Sequence, residues 1–197
     1  ITFSLSKVFA SYLLIISMIL FWNYQNRRSR LFFIVSLSLL FSVSIFDKLS
    51  NAKNEFIVFH KSRQSIVANK NASILHLYKS DATLNISNSY PIKGYKIAKG
   101  INEYSEIKTP QIFKCQEKLI LVLDSLGVYP RNHKIDIVLL TYSPKINLIR
   151  MLDSLQPKLI IVDGNNYKSY VNRWKNSCNE KNIAFHFTGT DGAYILK

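Results

Sequence analysis

One stretch in the second half of the chain, residues 136–164, determines the kind of sheet that the protein can build. It reads DIVLLTYSPKINLIRMLDSLQPKLIIVDG and contains two short runs of Ile, Leu and Val, at Ile137–Leu140 and Leu159–Val162. Between these runs, apolar residues recur at the spacing of a helix. Apolar strands joined by one amphipathic helix are typical of parallel strands that are buried on both faces. The stretch therefore predicts strand, turn, helix and strand in an α/β fold.

The loop after the first of these strands is where an active site would lie. Ligands of open α/β sheets bind beyond the carboxyl ends of the strands, which here means residues 141–147. This loop contains Ser143, Pro144 and Lys145, and none of its residues is of a metal-ligating type. Ser143 beside Lys145 suggests a Ser–Lys nucleophile, but no nucleophile elbow or oxyanion motif surrounds the pair. We therefore expect no catalytic residue, no metal and no cofactor.

Residues 1–46 differ sharply from the rest of the chain. They contain no Asp or Glu, and they form two apolar spans, at about 5–23 and 31–46, with a polar, basic loop between them. Spans of this length and composition predict a transmembrane helical hairpin. A signal peptide and a pair of buried helices in a soluble protein are the competing interpretations. Because the chain begins with Ile and not Met, we expect it to be the C-terminal piece of a longer membrane protein.

The orientation of the hairpin follows from its arginines. Arg27, Arg28 and Arg30 lie between the two spans, and basic loops stay in the cytoplasm. Lys48 and Lys53 follow the second span and weaken the contrast. These charges predict a multi-pass protein of the bacterial inner membrane, with residues 47–197 forming one extracytoplasmic domain.

Local patterns give the remaining elements of residues 47–197. Short β-prone runs at 56–59, 65–68 and 73–78, with polar turns at 61–64 and 69–71, predict an antiparallel meander. Residues 79–110 lack clear periodicity, so we expect only a short strand or two and a helical turn near 101–107. The later patterns predict a strand at 118–123, a helix at 167–181 and strands at 183–187 and 193–196, with Asn165 or Asn166 capping the helix.

The strongest functional signal in the residues themselves is the charge. The chain has 26 basic and 12 acidic residues, a net charge of +14, which would attract DNA or an anionic membrane surface. Lys145, Asn165, Asn166 and Lys168 are predicted to face one sheet edge, where a helix N-terminus can hold phosphate. These four residues are our candidate phosphate or DNA contacts. The competing interpretation is a solvated lysine face that reflects a biased composition.

Other chemistry-bearing residues have simpler interpretations. Asp124 and Asp163 end apolar strands and form either a cation site or ordinary turns. No two of the four histidines, at 60, 76, 133 and 186, are near each other in sequence, so we expect structural or exposed roles for them. Cys115 and Cys178 are compatible with a disulfide outside the cytoplasm and also with two buried free thiols.

Several longer segments carry a family resemblance. These are the terminal hairpin, FIVFHKSRQSIV followed by SILHLY, the segment from IDIVLLTYSPK through VNRWKNSC, and the closing IAFHFTGTDGAYILK. Together they resemble the C-terminal portion of the ComEC family of competence proteins. Asp163-Gly164, Arg173-Trp174-Lys175 and Asp191-Gly192 are similar to the pattern of Bacteroidetes-type members.

The resemblance implies a fold and a function. The C-terminal domain of that family is similar to the metallo-β-lactamase fold. The Gly-Gln-Gly-Asp and His-x-His-x-Asp-His motifs of that fold are replaced here by residues 61–64 and 141–146. The implied architecture is a transmembrane helical hairpin followed by a mixed-sheet α/β domain of degenerate lactamase type, on a chain that looks too short for both complete layers. The implied function is a non-catalytic module of a DNA-uptake channel that guides single-stranded DNA, stabilises the assembly or contacts other competence proteins or another copy of itself. A zinc-dependent nuclease and an interaction domain unrelated to DNA stay open as alternatives.

Overall fold

The computed structural model describes residues 5–51, 54–79, 86, 89–130 and 134–196. The chain divides into a helical unit, formed mainly by the N-terminal hairpin, and an α/β unit. In chain order the elements are α1 (Leu5–Tyr24), α2 (Arg27–Asn51), β1 (Glu55–Phe59), β2 (Ile66–Asn71), β3 (Ile74–Lys79), α3 (Tyr90–Lys99), β4 (Glu103–Lys108), β5 (Ile112–Cys115), β6 (Lys118–Leu123), β7 (Ile137–Leu140), α4 (Leu148–Leu155), β8 (Leu159–Val162), α5 (Lys168–Glu180), β9 (Ala184–Phe187), α6 (Thr188–Asp191) and β10 (Tyr194–Leu196).

The helical unit is an α1–α2 hairpin. Within the described residues, both helices are long and apolar enough to cross a membrane, with only 11% and 6% of their apolar windows buried inside the chain. Polar groups meet where the helices pack, because the Oγ atoms of the buried Ser17 and Ser36 lie 2.6 Å apart. Lys7 and Asp47 form an ion pair at 3.2 Å between the two helices. The hairpin thus pairs these polar groups between its helices and exposes many of its large apolar side chains.

The connection between the two helices is shorter than predicted. Only Gln25 and Asn26 lie outside helical structure, and α2 begins at Arg27 instead of near residue 31. The three arginines therefore lie in the first turn of α2 and not in a loop. Arg30 donates from Nη2 to the carbonyl of Gln25 at 3.3 Å, which helps to close the turn.

The first sheet of the α/β unit has the strand order β10-β1-β2-β3-β4. Its β1, β2 and β3 form the predicted antiparallel meander, and β4 joins β3 in parallel after the crossover helix α3. The predicted helical turn at 101–107 is wrong, because this segment is the edge strand β4. The helix lies earlier, with Pro91 in its first turn and Gly100, at a φ of +63°, ending it.

One predicted turn in the meander is also wrong. Residues 69–71 continue β2, and Lys70 is only 1% exposed. In the β1–β2 register Lys70 lies opposite the buried Glu55, whose carboxylate accepts a hydrogen bond from the Tyr95 hydroxyl at 2.6 Å. The strand register therefore places this lysine opposite a buried carboxylate inside the sheet, where its sequence neighbours indicated a solvated turn.

The second sheet has the order β5-β6-β7-β8-β9. The strands β6 to β9 are parallel, as the central stretch of the sequence predicts, and β5 is an antiparallel edge strand that the sequence reading missed. All four residues of β7 are buried, as expected for a strand covered on both faces.

The two sheets pack face to face through an apolar cluster that includes Phe56, Val58, Ile120, Leu139 and Ile161. On the far side of the first sheet, Ile92 of α3 joins a second cluster. On the far side of the second sheet, Met151 of α4 and Trp174 of α5 join a third. Within the described residues, the α/β unit is thus a helix, sheet, sheet, helix sandwich, although the sequence suggested a chain too short for both sheet layers. This mixed-sheet α/β architecture after two long apolar helices agrees with the predicted fold class.

Candidate functional site at the carboxyl ends of the central strands

The parallel strands β7 and β8 end side by side, and a polar residue follows each of them. Thr141 follows β7 and Asp163 follows β8; both are buried, at 3% and 0% exposed. The next residues after β7, Tyr142 and Ser143, have φ values of +59° and +50°. Non-glycine residues adopt this left-handed conformation only when surrounding contacts enforce it, and such positions cluster at functional sites.

The side chain of Asn166 supplies those contacts. Its Nδ2 donates to the carbonyl of Leu140 at 2.8 Å, to the carbonyl of Asp163 at 3.2 Å and to Asp163 Oδ1 at 2.8 Å. Its Oδ1 accepts from the backbone N–H of Ser143 at 2.8 Å. Asn166 therefore fastens the loop after β7 to the loop after β8.

The carboxyl group of Asp163 is the most unusual group at this edge. Its Oδ1 accepts from the backbone N–H of Asn165 at 3.1 Å and from Asn166, whereas no described residue makes a hydrogen bond of ordinary geometry to Oδ2. Burial raises the pKa of Asp163 to about 6, and the hydroxyls of Ser65 and Thr141 and the Asn165 N–H oppose part of that rise. Both hydrogen bonds of ordinary geometry that Asp163 accepts therefore end on the same carboxyl oxygen, Oδ1.

A loop from the first sheet lies against these strand ends. The N–H of Arg63 donates to the carbonyl of Gly164 at 3.0 Å. A Cβ atom at Gly164 would lie 2.5 Å from the carbonyl oxygen of Lys61 and 2.9 Å from the ring of His60. Only glycine therefore permits this approach of residues 60–65 to the β8–α5 turn. His60 is itself oriented by a 3.2 Å contact between its Nδ1 and Thr188 Oγ1.

The two loops enclose a cleft of about 730 Å³, which we call the basic cleft. It is lined by residues that include His60, Arg63, Gly164, Asn165, Asn166 and Lys168. Helix α5 begins at this cleft, with no side-chain cap from its N-cap residue Tyr167 and no acidic residue in its first turn. Arg63 and Lys168 are exposed. The cleft therefore combines two exposed cations with the positive end of a helix.

A second cleft of about 440 Å³ is lined by residues that include Ser65, Asp124, Thr141 and Tyr142. Asp124 is exposed, and its Oδ1 accepts from the N–H of Leu126 at 3.0 Å, which is the turn-forming role. Asp163 is buried and lines neither cleft. The structure thus does not present the two aspartates as a common exposed pair.

The structure separates the four candidate phosphate contacts into different roles. Lys168 lines the basic cleft with an exposed side chain, while Lys145 is exposed in the loop before α4 and is not among the lining residues. Asn166 lines the cleft, but its amide is engaged in the loop hydrogen bonds described above. Neither Asn165 nor Asn166 caps α5, because Tyr167 is the N-cap residue, so the capping prediction is wrong.

The sequence reading missed Arg63 and His60. Both belong to the first meander turn, about 100 residues before β8 in the chain, and no local pattern connects them to the β8–α5 turn. The one available signal was a polar, basic turn directly after an apolar strand. The contact between the two sheets is what places that turn at the cleft.

The described histidines have the structural contacts expected of them. His76 Nδ1 lies 2.7 Å from Ser105 Oγ, and His186 Nε2 lies 3.0 Å from the carbonyl oxygen of Gly192. The fourth, His133, lies outside the described residues. Among the residues that the structure describes, no group of three or more His, Cys, Asp or Glu side chains is arranged to hold a metal ion.

Ser143 and the cysteines also have defined environments. Ser143 Oγ accepts a hydrogen bond from the N–H of Tyr167 at 2.9 Å, while Lys145 is exposed. Cys115 and Cys178 are both free and buried, on opposite faces of the second sheet. Burial raises the pKa of both thiols, to about 12 for Cys178. These two cysteines are therefore core residues and not a disulfide.

Comparison with known proteins places the α/β unit in a family. No curated protein matches the chain. The sequence model of the ComEC C-terminal domain matches residues 56–197, which is most of the chain and reaches from β1 beyond β10. The chain therefore belongs to the ComEC C-terminal domain family, and with it to the proteins of competence and DNA uptake.

Proposed function

We propose that this chain is a membrane-anchored, non-catalytic module of a DNA-uptake channel whose basic cleft binds the phosphate backbone of single-stranded DNA. The observation that carries the proposal is the placement of Arg63 and Lys168 in one cleft at the uncapped start of α5. By this proposal the module guides the strand and helps to stabilise the channel assembly, which includes the membrane parts.

The chemistry of the cleft suits phosphate. An arginine guanidinium can bind two phosphate oxygens at once, and a lysine ammonium supplies a compact positive charge. Free N–H groups at a helix N-terminus add hydrogen-bond donors and a favourable dipole. The net charge of +14 would raise the local concentration of any polyanion near the domain. Phosphate contacts of this kind carry little base specificity, which is what a channel for arbitrary sequences requires.

A salt series tests this proposal. The full chain in detergent is titrated into a labelled single strand at several salt concentrations, as wild type, as the double variant Arg63→Gln/Lys168→Gln and as Lys118→Gln. Lys118 begins β6 at the opposite end of the parallel strands, so Lys118→Gln removes one positive charge away from the cleft, half the charge change of the double variant.

We expect wild-type affinity to fall steeply with salt. The affinity of the double variant should be about tenfold or more below that of wild type. The slope of log affinity against log salt concentration should become shallower by about 1.4, since each phosphate contact contributes roughly 0.7. Lys118→Gln should stay within about twofold of wild type. Equal losses of affinity in the double variant and in Lys118→Gln would mean that general charge attraction, and not the cleft, accounts for the binding. No binding by wild type would favour a domain unrelated to DNA.

The non-catalytic part of the proposal rests on the loop after β7. At the positions where the lactamase-like motif would supply ligands, this loop carries Tyr142, Ser143 and Pro144, and the Ser143 hydroxyl is engaged by Tyr167. The helix, sheet, sheet, helix layering supports a degenerate lactamase-like relationship. The competing function is a zinc-dependent nuclease. Stoichiometric zinc in the purified chain together with metal-dependent strand cleavage would replace our proposal with that enzyme.

The location of the domain is the third part of the proposal. Arg27, Arg28 and Arg30, in the first turn of α2 next to the helix connection, favour a cytoplasmic turn and an extracytoplasmic α/β unit in the inner membrane. Because both native cysteines are buried, single surface cysteines can report the topology. Asn179→Cys at the end of α5 should react with a membrane-impermeant maleimide in spheroplasts, and Ser29→Cys only after lysis. The reverse pattern would invert the orientation.

A further inference from the structure

Several buried polar atoms near the carboxyl ends of β7 and β8 lack a hydrogen-bond partner. Within the described residues these atoms are Gln64 Oε1, Asn69 Oδ1, Thr141 Oγ1, Asp163 Oδ2 and Asn165 Nδ2. Apart from Asn69, all belong to three segments that meet at the carboxyl ends of β7 and β8. Such atoms are rare in folded proteins because each forfeits its hydration.

Three contacts bring these segments together. The Arg63 N–H bond to the Gly164 carbonyl fixes the loop that carries Gln64 and Ser65. Thr141 and Asp163 directly follow Leu140 and Val162, which are paired in the β7–β8 register, and Ser65 lines the same cleft as Thr141. The group therefore offers Asp163 Oδ2 and the side-chain oxygens of Gln64, Ser65 and Thr141.

The charge of this group is unbalanced. Asp163 is fully buried and forms no ion pair with any described residue. An unpaired buried carboxylate is strongly disfavoured, so it takes up a proton or a positive partner. The two hydrogen bonds that it does accept, from Asn165 and Asn166, both end on Oδ1, and Oδ2 has no hydrogen-bond partner among the described residues.

We propose that Asp163, Thr141, Ser65 and Gln64 form a buried binding site for a small monovalent cation of the sodium or potassium class. The set consists of oxygen ligands, which hard cations prefer. A single carboxylate balances one positive charge, whereas calcium sites in proteins recruit several carboxylates. Zinc sites in proteins are built mainly from Cys and His, and this set has neither. The bound cation would hold the loop at residues 60–65 against the carboxyl ends of β7 and β8. Cation binding at this site does not depend on DNA binding.

Thermal unfolding of the full chain in detergent, at neutral pH and constant ionic strength, tests the site. The salts compared are sodium chloride, potassium chloride and tetramethylammonium chloride, whose cation is too large to enter. We expect the fitting small cation to raise Tm by roughly 5 °C at saturation. Asp163→Asn should remove the difference between salts, and Asp153→Asn, on the exposed face of α4, should retain it.

A second variant and a direct measurement keep the test decisive if Asp163→Asn folds poorly. Thr141→Val conserves the shape of the side chain and removes one ligand oxygen, so the half-saturating cation concentration should rise about tenfold, the effect of losing one interaction worth about 1.4 kcal/mol. If potassium is the cation that raises Tm, crystals soaked in thallium(I), which is close to potassium in size, should show an anomalous peak beside Asp163 Oδ2. Equal Tm values in all three salts, or no peak in that case, would overturn the proposal and assign these atoms to buried water.

Discussion

Ser143 Oγ accepts a hydrogen bond at 2.9 Å from the backbone N–H of Tyr167, the residue that immediately precedes α5. In return, the N–H of Ser143 donates to the side chain of Asn166 at 2.8 Å. Ser143, in the loop after β7, thus supplies the hydrogen-bond acceptor for the backbone of the residue that leads into α5. These two hydrogen bonds of Ser143 help to fix the position of the α5 N-terminus, and therefore the shape of the basic cleft.

Replacing Ser143 with Ala should therefore destabilise the α/β unit by about 1 kcal/mol, the usual cost of losing such a hydroxyl acceptor. Ser143→Gly should cost less, because glycine tolerates the φ of +50° that strains serine and alanine. Chemical denaturation of the full chain in detergent measures both, with the exposed Ser154→Ala as control. A Gly variant less stable than the Ala variant would contradict the role of backbone strain.

Gly164 should not tolerate even the smallest side chain. A Cβ atom would lie 2.5 Å from the backbone oxygen of Lys61, so Gly164→Ala must displace the 60–65 loop. We expect a loss of about 1–3 kcal/mol, as for overpacking elsewhere, together with weaker single-strand binding. Gly94→Ala is the matched control, because nothing lies within 4 Å of a Cβ there. Wild-type stability and binding in Gly164→Ala would show that the loop is not held as described.

Asp163 should give the domain a characteristic dependence on pH. Its pKa is raised to about 6 in the folded chain, against roughly 3.9 when unfolded, so the folded state binds the extra proton. Stability from this group is therefore complete below the unfolded value and is lost as pH rises through 6. Between pH 5 and 7.5 the loss should be about 1.4 kcal/mol.

The measurement compares wild type with Asp163→Asn across that pH range in tetramethylammonium buffers, so that no small cation competes with the proton. His60, which touches the Gly164 turn, and Asp124, which lines the cleft beside Thr141, are common to both proteins and cancel in the difference. A wild-type curve parallel to that of the variant would mean that Asp163 does not titrate in this interval.

Cys115 and Cys178 should be chemically silent in the folded chain. They are 5% and 0% exposed, lie on opposite faces of the second sheet, and have raised thiol pKa values. Because the thiolate is the reactive form, we expect negligible labelling by a disulfide reagent until denaturant is added, and then two labelled thiols. Fast labelling of the native chain, or loss of both thiols under mild oxidation, would contradict this packing.

The parts of the fold that the sequence predicted are those with a strong local pattern. The apolar runs of β6, β7 and β8 could be placed within one or two residues, because burial on both faces of the sheet leaves little choice of residue type. The apolar face of α5 could be placed from its helical spacing. By contrast, β4 and α3 were misread. The edge strand β4 has mostly exposed side chains and takes its conformation from pairing with β3, which no local pattern records.

The residues of the candidate site also divide into those that a local sequence pattern could place and those that it could not. Lys168 could be placed at the start of α5 from its neighbours alone. Arg63 could not, because its position depends on the packing of two sheets whose strands are far apart in sequence. Asn166 is predicted as a phosphate contact because it lies at a helix start that faces the sheet edge, whereas its side chain is occupied by Leu140, Ser143 and Asp163.

The pairing of β1 with β10 has a consequence for how the domain matures. β1 is the first strand after the hairpin, and its neighbour β10 comes from residues 194–196, with Phe56 opposite Leu196. Contacts this distant in sequence form late, because the chain between them must first be ordered. During synthesis, β1 therefore waits with one edge unpaired until residues 194–196 have emerged.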